Sequence, residues 1–288
     1  MDVHVDSETA PLRSVIVGYP DNFLDVEPEI INETQRRFYH GPEAPTKEAV
    51  TEQLNGFIAV LRSRGVRVHQ PRPLPYIPDQ MMTRDIGVVI GDTLVVTTMA
   101  AHSRKHEWRG YAYLFEDFMP DTKIIFGPED LVIEGGDIIV DKGKVFVGIG
   151  QRTTLTGAAW LMQLVPDYEI VPMNLRGLSD GEDVLHLDCS FLPVGENSAL
   201  IYPDGMREVP ASVRETYDLI EVTRDEQQQL GTNVLSLDPS TVVSQPTSTR
   251  INNEMRARGI DVIEVPYTEP AKTGGSFRCC TLPLHRAR

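Results

Sequence analysis

The 288-residue chain has only three cysteines, Cys189, Cys279 and Cys280, an odd count too sparse for a disulfide framework. Sequence neighbours such as Cys279 and Cys280 rarely bridge each other because the ring would be strained, so free thiols are expected. There is no Cys-x-x-Cys pair and no histidine-rich tract, and neither a metal nor another cofactor is expected. Gly-x-Gly-x-x-Gly is missing, as is a glycine loop ending in Gly-Lys-Ser/Thr, which removes the usual cradles for dinucleotides and phosphates. Positive charge is also short: 27 Lys and Arg face 42 Asp and Glu, for a formal charge of -15 with no concentrated basic run. That balance opposes binding to nucleic acid or to an anionic membrane, although it suits a cationic small molecule. No apolar run approaches the roughly 18 residues of a membrane span. The acidic start, "MDVHVDSETAPLRSVIVGYP", lacks the basic-then-apolar order of a secretory signal, so a cytoplasmic protein is expected.

What is present is a repeated theme of strand, helix and strand. "RSVIVGYP" is followed by a helix around "KEAVTEQLNGFIAVLRSRG", in which Val50, Leu54, Phe57, Ile58 and Leu61 recur at helical spacing, and then by "VRVHQP". A second unit runs from "VVIGDTLVV" through "HEWRGYAYLFEDFM" to "TKIIF", and a third from "DIIVDKGKVFVGIG" through "LTGAAWLMQL" to "YEIVPM". A fourth joins "CSFLPVGENSALIYP" to "EVPASVRETYDLIEV" and "NVLSLDP", and a fifth joins "STVVSQP" to "STRINNEMRARG" and "IDVIEVPY". Units that cannot bury their own faces must stack on their neighbours. The expectation is a single pseudo-symmetric α/β domain over residues 1–288.

Four stretches carry side chains suited to chemistry. In "VLHLDCSFLPV", read as a strand, Leu185, Leu187, Cys189 and Phe191 share one face while His186, Asp188 and Ser190 share the other. The polar face is either solvated or a place where Asp188 orients and charges the imidazole of His186. Cys189, on the apolar face, is expected to pack in the core. In "TGGSFRCCTLPLHR", Cys279 and Cys280 follow two glycines and sit beside Arg278, which would favour a thiolate. Two readings stand there, a reactive loop or a C-terminal strand that buries both thiols. "EDLVIEGGDIIV" closes an apolar strand with Glu134, which alone reads as a turn with acidic flanks. In "QMMTRDIGVVIGD", Asp85 enters a buried strand with Arg84 available to neutralise it.

Taken in order, "TRD" ahead of a Val-Val-Ile-Gly strand, "EGGD" with a later "QRT", "HLD" and "RCCTLP" resemble the guanidine-modifying superfamily of arginine deiminases, dimethylargininases, arginine dihydrolases and amidinotransferases. The resemblance spans most of the chain and implies the five-bladed α/β propeller called the pentein fold. It implies Cys279 as the nucleophile, since the deiminase pattern Arg-Cys-Met-Ser-x-Pro aligns Arg278, Cys279 and Pro283 and leaves Cys280 as a neighbour. His186 would be the general acid and base and Glu134 a catalytic carboxylate. Asp85 and Asp188 would grip the guanidinium nitrogens, and Arg152 would hold a substrate carboxylate.

The implied activity is hydrolysis of a guanidine C–N bond in free arginine or a close derivative through a covalent cysteine intermediate, without metal. Asp188 stands where dimethylargininases carry Lys, and with the proline of "RCCTLP" it resembles the deiminases, which convert arginine to citrulline and ammonia. The length is nearer to dimethylargininases and dihydrolases, and an amidinotransferase is the further alternative. The partner expected is a small guanidine, with homo-oligomerisation left open, and the proline-dense "PRPLPYIPD" is a lid by analogy.

Overall fold

Stretches that read as single strands are folded in half wherever a turn residue interrupts the apolar run. In "DIIVDKGKVFVGIG" the reversal falls at Lys142 and Gly143, whose φ angles of 49° and 72° make a tight two-residue turn of the left-handed kind that glycine accepts without strain. The computed structural model describes every residue except 24, 26–28 and 76. The proline-dense segment includes residue 76, so that position lies outside the described residues.

In chain order, β1 (Leu12–Val17) is followed by α1 (Glu33–Phe38), α2 (Lys47–Ser63) and β2 (Arg67–His69). The hairpin β3 (Gly87–Ile90) and β4 (Thr93–Val96) leads to β5 (Lys123–Phe126), and the hairpin β6 (Ile138–Asp141) and β7 (Lys144–Ile149) leads through α3 (Leu155–Leu164) to β8 (Glu169–Asn174). Next come β9 (Phe191–Val194), β10 (Ser198–Ile201), α4 (Ala211–Thr216), β11 (Asp218–Glu221) and α5 (Arg224–Gln228). The chain finishes with β12 (Leu235–Asp238), β13 (Thr241–Ser244), α6 (Thr249–Ala257), β14 (Asp261–Glu264), α7 (Thr268–Ala271) and β15 (Thr281–Arg286).

These strands form five three-stranded sheets, ordered β15-β1-β2, β3-β4-β5, β6-β7-β8, β9-β10-β11 and β12-β13-β14. In each, the middle strand runs antiparallel to the first and parallel to the third. The repeat is therefore a hairpin plus a crossover strand. Two boundaries differ from the sequence reading. "NVLSLDP" does not end the fourth unit but supplies β12, first strand of the fifth sheet, and the hairpin missing from the first unit is completed by β15 from the other end of the chain.

Two elements also change type. The aromatic-rich stretch 106–119 forms 3₁₀ turns at Glu107–Gly110 and Ala112–Asp117 rather than an α-helix. Its rings pack on one another, with Trp108 stacked on Phe115 at 6.3 Å, and aromatic side chains lose rotamer freedom in an α-helix. "VLHLDCSFLPV" becomes a strand only at Phe191; Leu187–Cys189 is a 3₁₀ turn. The Leu187 N–H is taken by the Asp137 carboxylate at 2.8 Å, so no ladder can extend there. Elsewhere the periodicity holds: α2 is capped by Thr46, which accepts from the Ala49 N–H, and the five apolar residues named above are its buried stripe. They share one apolar cluster with Val15 and Val17 of β1.

Candidate active site

The segments just ahead of the first strand of each sheet carry the polar groups. Asp85 precedes β3, Glu134 and Asp137 precede β6, His186 and Asp188 precede β9, Asn233 precedes β12 and Cys279 precedes β15. Irregular backbone at these places frees the side chains from the strand alternation and turns them inward. Glycine makes the approach feasible at the Glu134 turn, because a Cβ on Gly136 would lie 2.7 Å from His186 Cγ and 2.9 Å from Asp85 Oδ1.

Five of the six residues expected to act together, Asp85, Glu134, Arg152, His186 and Cys279, line one cavity. The cavity holds about 10 Å³, the room of roughly one water. Over it lie Ile31, Asn32 and Gln35, tied down by a 3.0 Å bond from Gln35 Nε2 to the Thr273 carbonyl and by Arg152 donating to the Ile31 carbonyl. Asp79, at the end of the proline-dense segment, accepts from Gln35 at 3.0 Å and from the Tyr39 hydroxyl at 3.1 Å. The roof is thus built chiefly from residues 31–35. A second cavity of about 220 Å³ shares Asn32, Leu185 and Gly274 with the first and adds Glu33, Arg37 and Asp183.

His186 is fully enclosed by acid. Its Nε2 lies 2.7 Å from Glu134 Oε2, its Nδ1 3.6 Å from Asp85 Oδ1, and Asp137 is close behind. Burial pushes the imidazole pKa down, but these three carboxylates outweigh it and hold it at about 10. Burial pushes Asp137 up to about 7 despite the neighbouring His186. Glu134 is oriented by its second oxygen, which accepts the Ala100 N–H at 2.8 Å.

Asp188, the sixth residue, does not line this cavity but lies against the sulfur. Its Oδ1 and Oδ2 are 3.8 and 3.6 Å from Cys279 Sγ. Its Oδ2 also accepts from Arg278 Nη1 at 2.9 Å, and Arg278 gives Nε and Nη2 to the two oxygens of Glu8 at 3.0 and 3.1 Å. Burial would raise the Glu8 carboxyl, but Arg278, Arg84 and Arg286 hold it at about 2. Arg84 therefore faces Glu8, at 3.7 Å, rather than neutralising Asp85. That task falls to Arg104, whose Nη1 donates to Asp85 Oδ2 at 2.7 Å while Glu107 holds its other face at 2.7 and 3.2 Å.

Both adjacent thiols are buried, and they do different things. Cys280 turns toward the Phe277 carbonyl, 3.4 Å away, and burial pushes it up to about 12. Cys279 faces the cavity. Burial, then the charges of Asp188 and Asp85, hold its thiol well above the ordinary range, and Arg278 only partly offsets them. Cys189 is buried beside Leu187 and Phe191 in an apolar cluster, as expected, with its sulfur 3.7 Å from Asp188 Oδ1. Asp85, Glu134 and His186 offer three ligand atoms within 4.8 Å of one another, a spacing a metal could use. One Asp85 oxygen is already bound to Arg104 and His186 Nε2 is paired with Glu134 at 2.7 Å, so the three side chains are linked to one another and to Arg104 as they stand.

Residues 20–286 match the family described as N,N dimethylarginine dimethylhydrolase, eukaryotic. The chain belongs to this family. As a dimethylarginine dimethylhydrolase family member it falls within the pentein superfamily of guanidine-modifying enzymes, as its four motifs suggested. It is 38% identical over 97% of its length to the uncharacterised protein YkgA of Bacillus subtilis, covering 94% of that protein. Among solved structures it resembles SxtG, an amidinotransferase of the saxitoxin biosynthetic pathway from Microseira wollei, with a TM-score of 0.84, 20% identity and coverage of 99% and 98% of the two chains. It also resembles the product-bound N-terminal domain of ArgZ, an arginine dihydrolase of the ornithine–ammonia cycle in cyanobacteria, with a TM-score of 0.80, 22% identity and coverage of 95% and 97%. At these identities the two likenesses speak to the fold.

Asn233, Arg104 and Glu8 were not singled out from sequence. Arg104 and Glu107 stand one helical turn apart in "SRKHE", the spacing of an ion pair. Asn233, in "GTNVLSLD", occupies in the fifth unit the place that acidic, imidazole or thiol groups hold in the other four, a positional signal the repeat itself contains. Glu8 left no mark in the sequence.

Proposed function

We propose that the chain is a cysteine hydrolase of the guanidine C–N bond, of the deiminase type, converting free arginine or a close derivative to the ureido product and ammonia. In this reading the five sheets are the blades of a pseudo-symmetric propeller and residues 1–288 form one catalytic domain. The observation that carries it is a matched pair of half-used carboxylates. Asp85 Oδ2 is anchored by Arg104 at 2.7 Å and Asp188 Oδ2 by Arg278 at 2.9 Å. Asp85 Oδ1 is buried without a hydrogen-bond partner, and Asp188 Oδ1 meets only the weakly donating thiols of Cys189 and Cys279. A planar cation with N–H groups on two sides supplies the missing donors and sets its central carbon against Sγ.

The thiol is neutral until the substrate arrives. A guanidinium beside the sulfur offsets the carboxylates, lowers the thiol pKa and releases its proton to solvent. The thiolate attacks the central carbon. Protonated His186 gives its proton to the departing nitrogen, and ammonia leaves a thiouronium-type adduct on Cys279. Neutral His186 then takes a proton from water as the oxygen adds to that carbon, and the C–S bond breaks. Arg152, in the cavity wall, is the cation available to a substrate carboxylate. With about 10 Å³ free, the roof formed by residues 31–35 must lift for entry, and the adjoining 220 Å³ cavity is the approach.

The second reading is hydrolysis of dimethylated arginine, favoured by the family match over residues 20–286. A dimethylated nitrogen offers no N–H and would leave one of the two buried carboxylate oxygens unpaired, which disfavours it here. The test incubates purified protein with arginine, with dimethylarginine, and with arginine plus glycine, and identifies citrulline, ornithine, ammonia, dimethylamine and guanidinoacetate by mass. Citrulline and ammonia from arginine, lost in Cys279→Ala, are expected. Turnover that survives Cys279→Ala excludes the mechanism, ornithine marks a dihydrolase, and guanidinoacetate marks an amidinotransferase.

A further inference from the structure

We propose that the Asn233 side-chain amide is a catalytic residue that stabilises the thiolate of Cys279, a role that rests on Cys279 being the nucleophile. Asn233 is wholly buried between α5 and β12 and spends its whole side chain on the loop that carries the sulfur. Its Oδ1 accepts the N–H groups of Ser276 and Cys279 at 3.1 and 3.0 Å, and its Nδ2 donates to Cys279 Sγ at 3.0 Å. The two backbone donors fix which end of the amide is oxygen, since an NH₂ could not face them. Nitrogen must therefore point at sulfur.

A neutral thiol is a weak acceptor and a thiolate a strong one, so this donor gains strength as charge appears on sulfur. It opposes Asp188, whose oxygens lie 3.6 and 3.8 Å from the same atom. An uncharged amide suits that place: it assists the thiolate formed on substrate binding without making it permanent, and it lets the sulfur leave again when the adduct is hydrolysed. The loop packs closely where it carries the sulfur. A Cβ on Gly275 would sit 2.5 Å from Cys279 Cβ, and Gly274 holds a φ of 108°. Because the Cys279 N–H is already bound to Oδ1, the same amide sets both the position of the sulfur and its charge state.

Two substitutions separate these effects. Asn233→Asp keeps an oxygen for both backbone N–H groups but replaces the donor facing sulfur by a second oxygen; Asn233→Ala removes everything. Each is made in a Cys189→Ser, Cys280→Ala background so that one thiol reports, and folding is checked by thermal melting. The pH dependence of iodoacetamide alkylation and of ultraviolet thiolate absorbance is then followed. For Asn233→Ala, which removes the donor without adding charge, the thiol midpoint is expected to rise by about one pH unit or more, and further in Asn233→Asp, which adds a carboxylate; in the otherwise unaltered chain kcat/KM of Asn233→Ala falls by about 100-fold, the loss typical of a removed transition-state donor. A wild-type midpoint in Asn233→Ala, or a kcat/KM within twofold of wild type in that variant, overturns the proposal. Alkylation needs no substrate, so a protein inert toward every guanidine would sink the proposed function while this readout stood or fell by itself.

Discussion

Replacing Glu134 by glutamine changes one atom against His186, and the structure dictates which. The Ala100 N–H bonds to Oε1 at 2.8 Å, which keeps the amide oxygen there and turns the new NH₂ toward His186 Nε2, 2.7 Å from the present Oε2. The imidazole must then present a lone pair at Nε2, so it becomes neutral with its proton on Nδ1, facing Asp85 Oδ1. Removing one charge at contact distance is worth about 4 kcal/mol at an effective dielectric of 20. At about 1.4 kcal/mol per unit, that lowers the His186 pKa by about three units. It would move from about 10 to near neutrality, and at pH 8 most of the ring would lose its acidic proton. A pKa near 7 leaves roughly one ring in ten protonated at pH 8, so the loss of kcat at that pH is expected to be about tenfold. Imidazole NMR titration, with His186→Gln to assign the signal among the seven histidines, reads the shift without reference to turnover. An unmoved His186 titration in Glu134→Gln would refute the reasoning, as would wild-type kcat at pH 8.

Other substitutions probe the frame around the site. Gly136→Ala drives a methyl to within 2.8 Å of His186 Nδ1, so kinetics should show more than about a tenfold fall in kcat while a thermal melt shows a small change. Arg278→Met strands Glu8 and Asp188 in the interior and is expected to lower the unfolding free energy in urea by about 3–5 kcal/mol. Phe146→Ala removes a ring that lies 5.1 Å from Phe191 and 6.1 Å from Tyr217, for a loss of about 3–5 kcal/mol by the same measurement. His186 has a folded pKa of about 10, above its ordinary 6.5, so its protonation stabilises the fold fully below about pH 6.5 and progressively less as pH rises through 10. Urea midpoints should fall across that window, and fall less in His186→Gln.

The five repeats were readable because short β-branched runs recur between helical stretches and three hairpin turns carry glycine, at Gly91, Gly143 and Gly195, features fixed by local chemistry. Where a repeat begins was not, since a hairpin strand such as β12 looks the same whether it closes one unit or opens the next. The partnership of β1 with β15 depends on two segments at opposite ends of the chain, and no local pattern announces it. At the site, Cys279, His186, Glu134 and Asp85 stood in marked stretches and Arg152 was implied by the family resemblance alone; the five converge on one cavity. Their geometry was misjudged where tertiary bonds override propensity: Asp137 takes the Leu187 N–H and turns an expected strand into a 3₁₀ turn. Charge partners were the least legible. Arg84 is adjacent to Asp85 in sequence yet faces Glu8, while Arg104 reaches Asp85 from a later loop.

Because β15 lies beside β1, the sheet that Cys279 leads into pairs segments with nearly the whole sequence between them. Closing so long a loop early would be entropically expensive, so the other four sheets have reason to form first. During synthesis Cys279 would be delivered to a nearly finished scaffold.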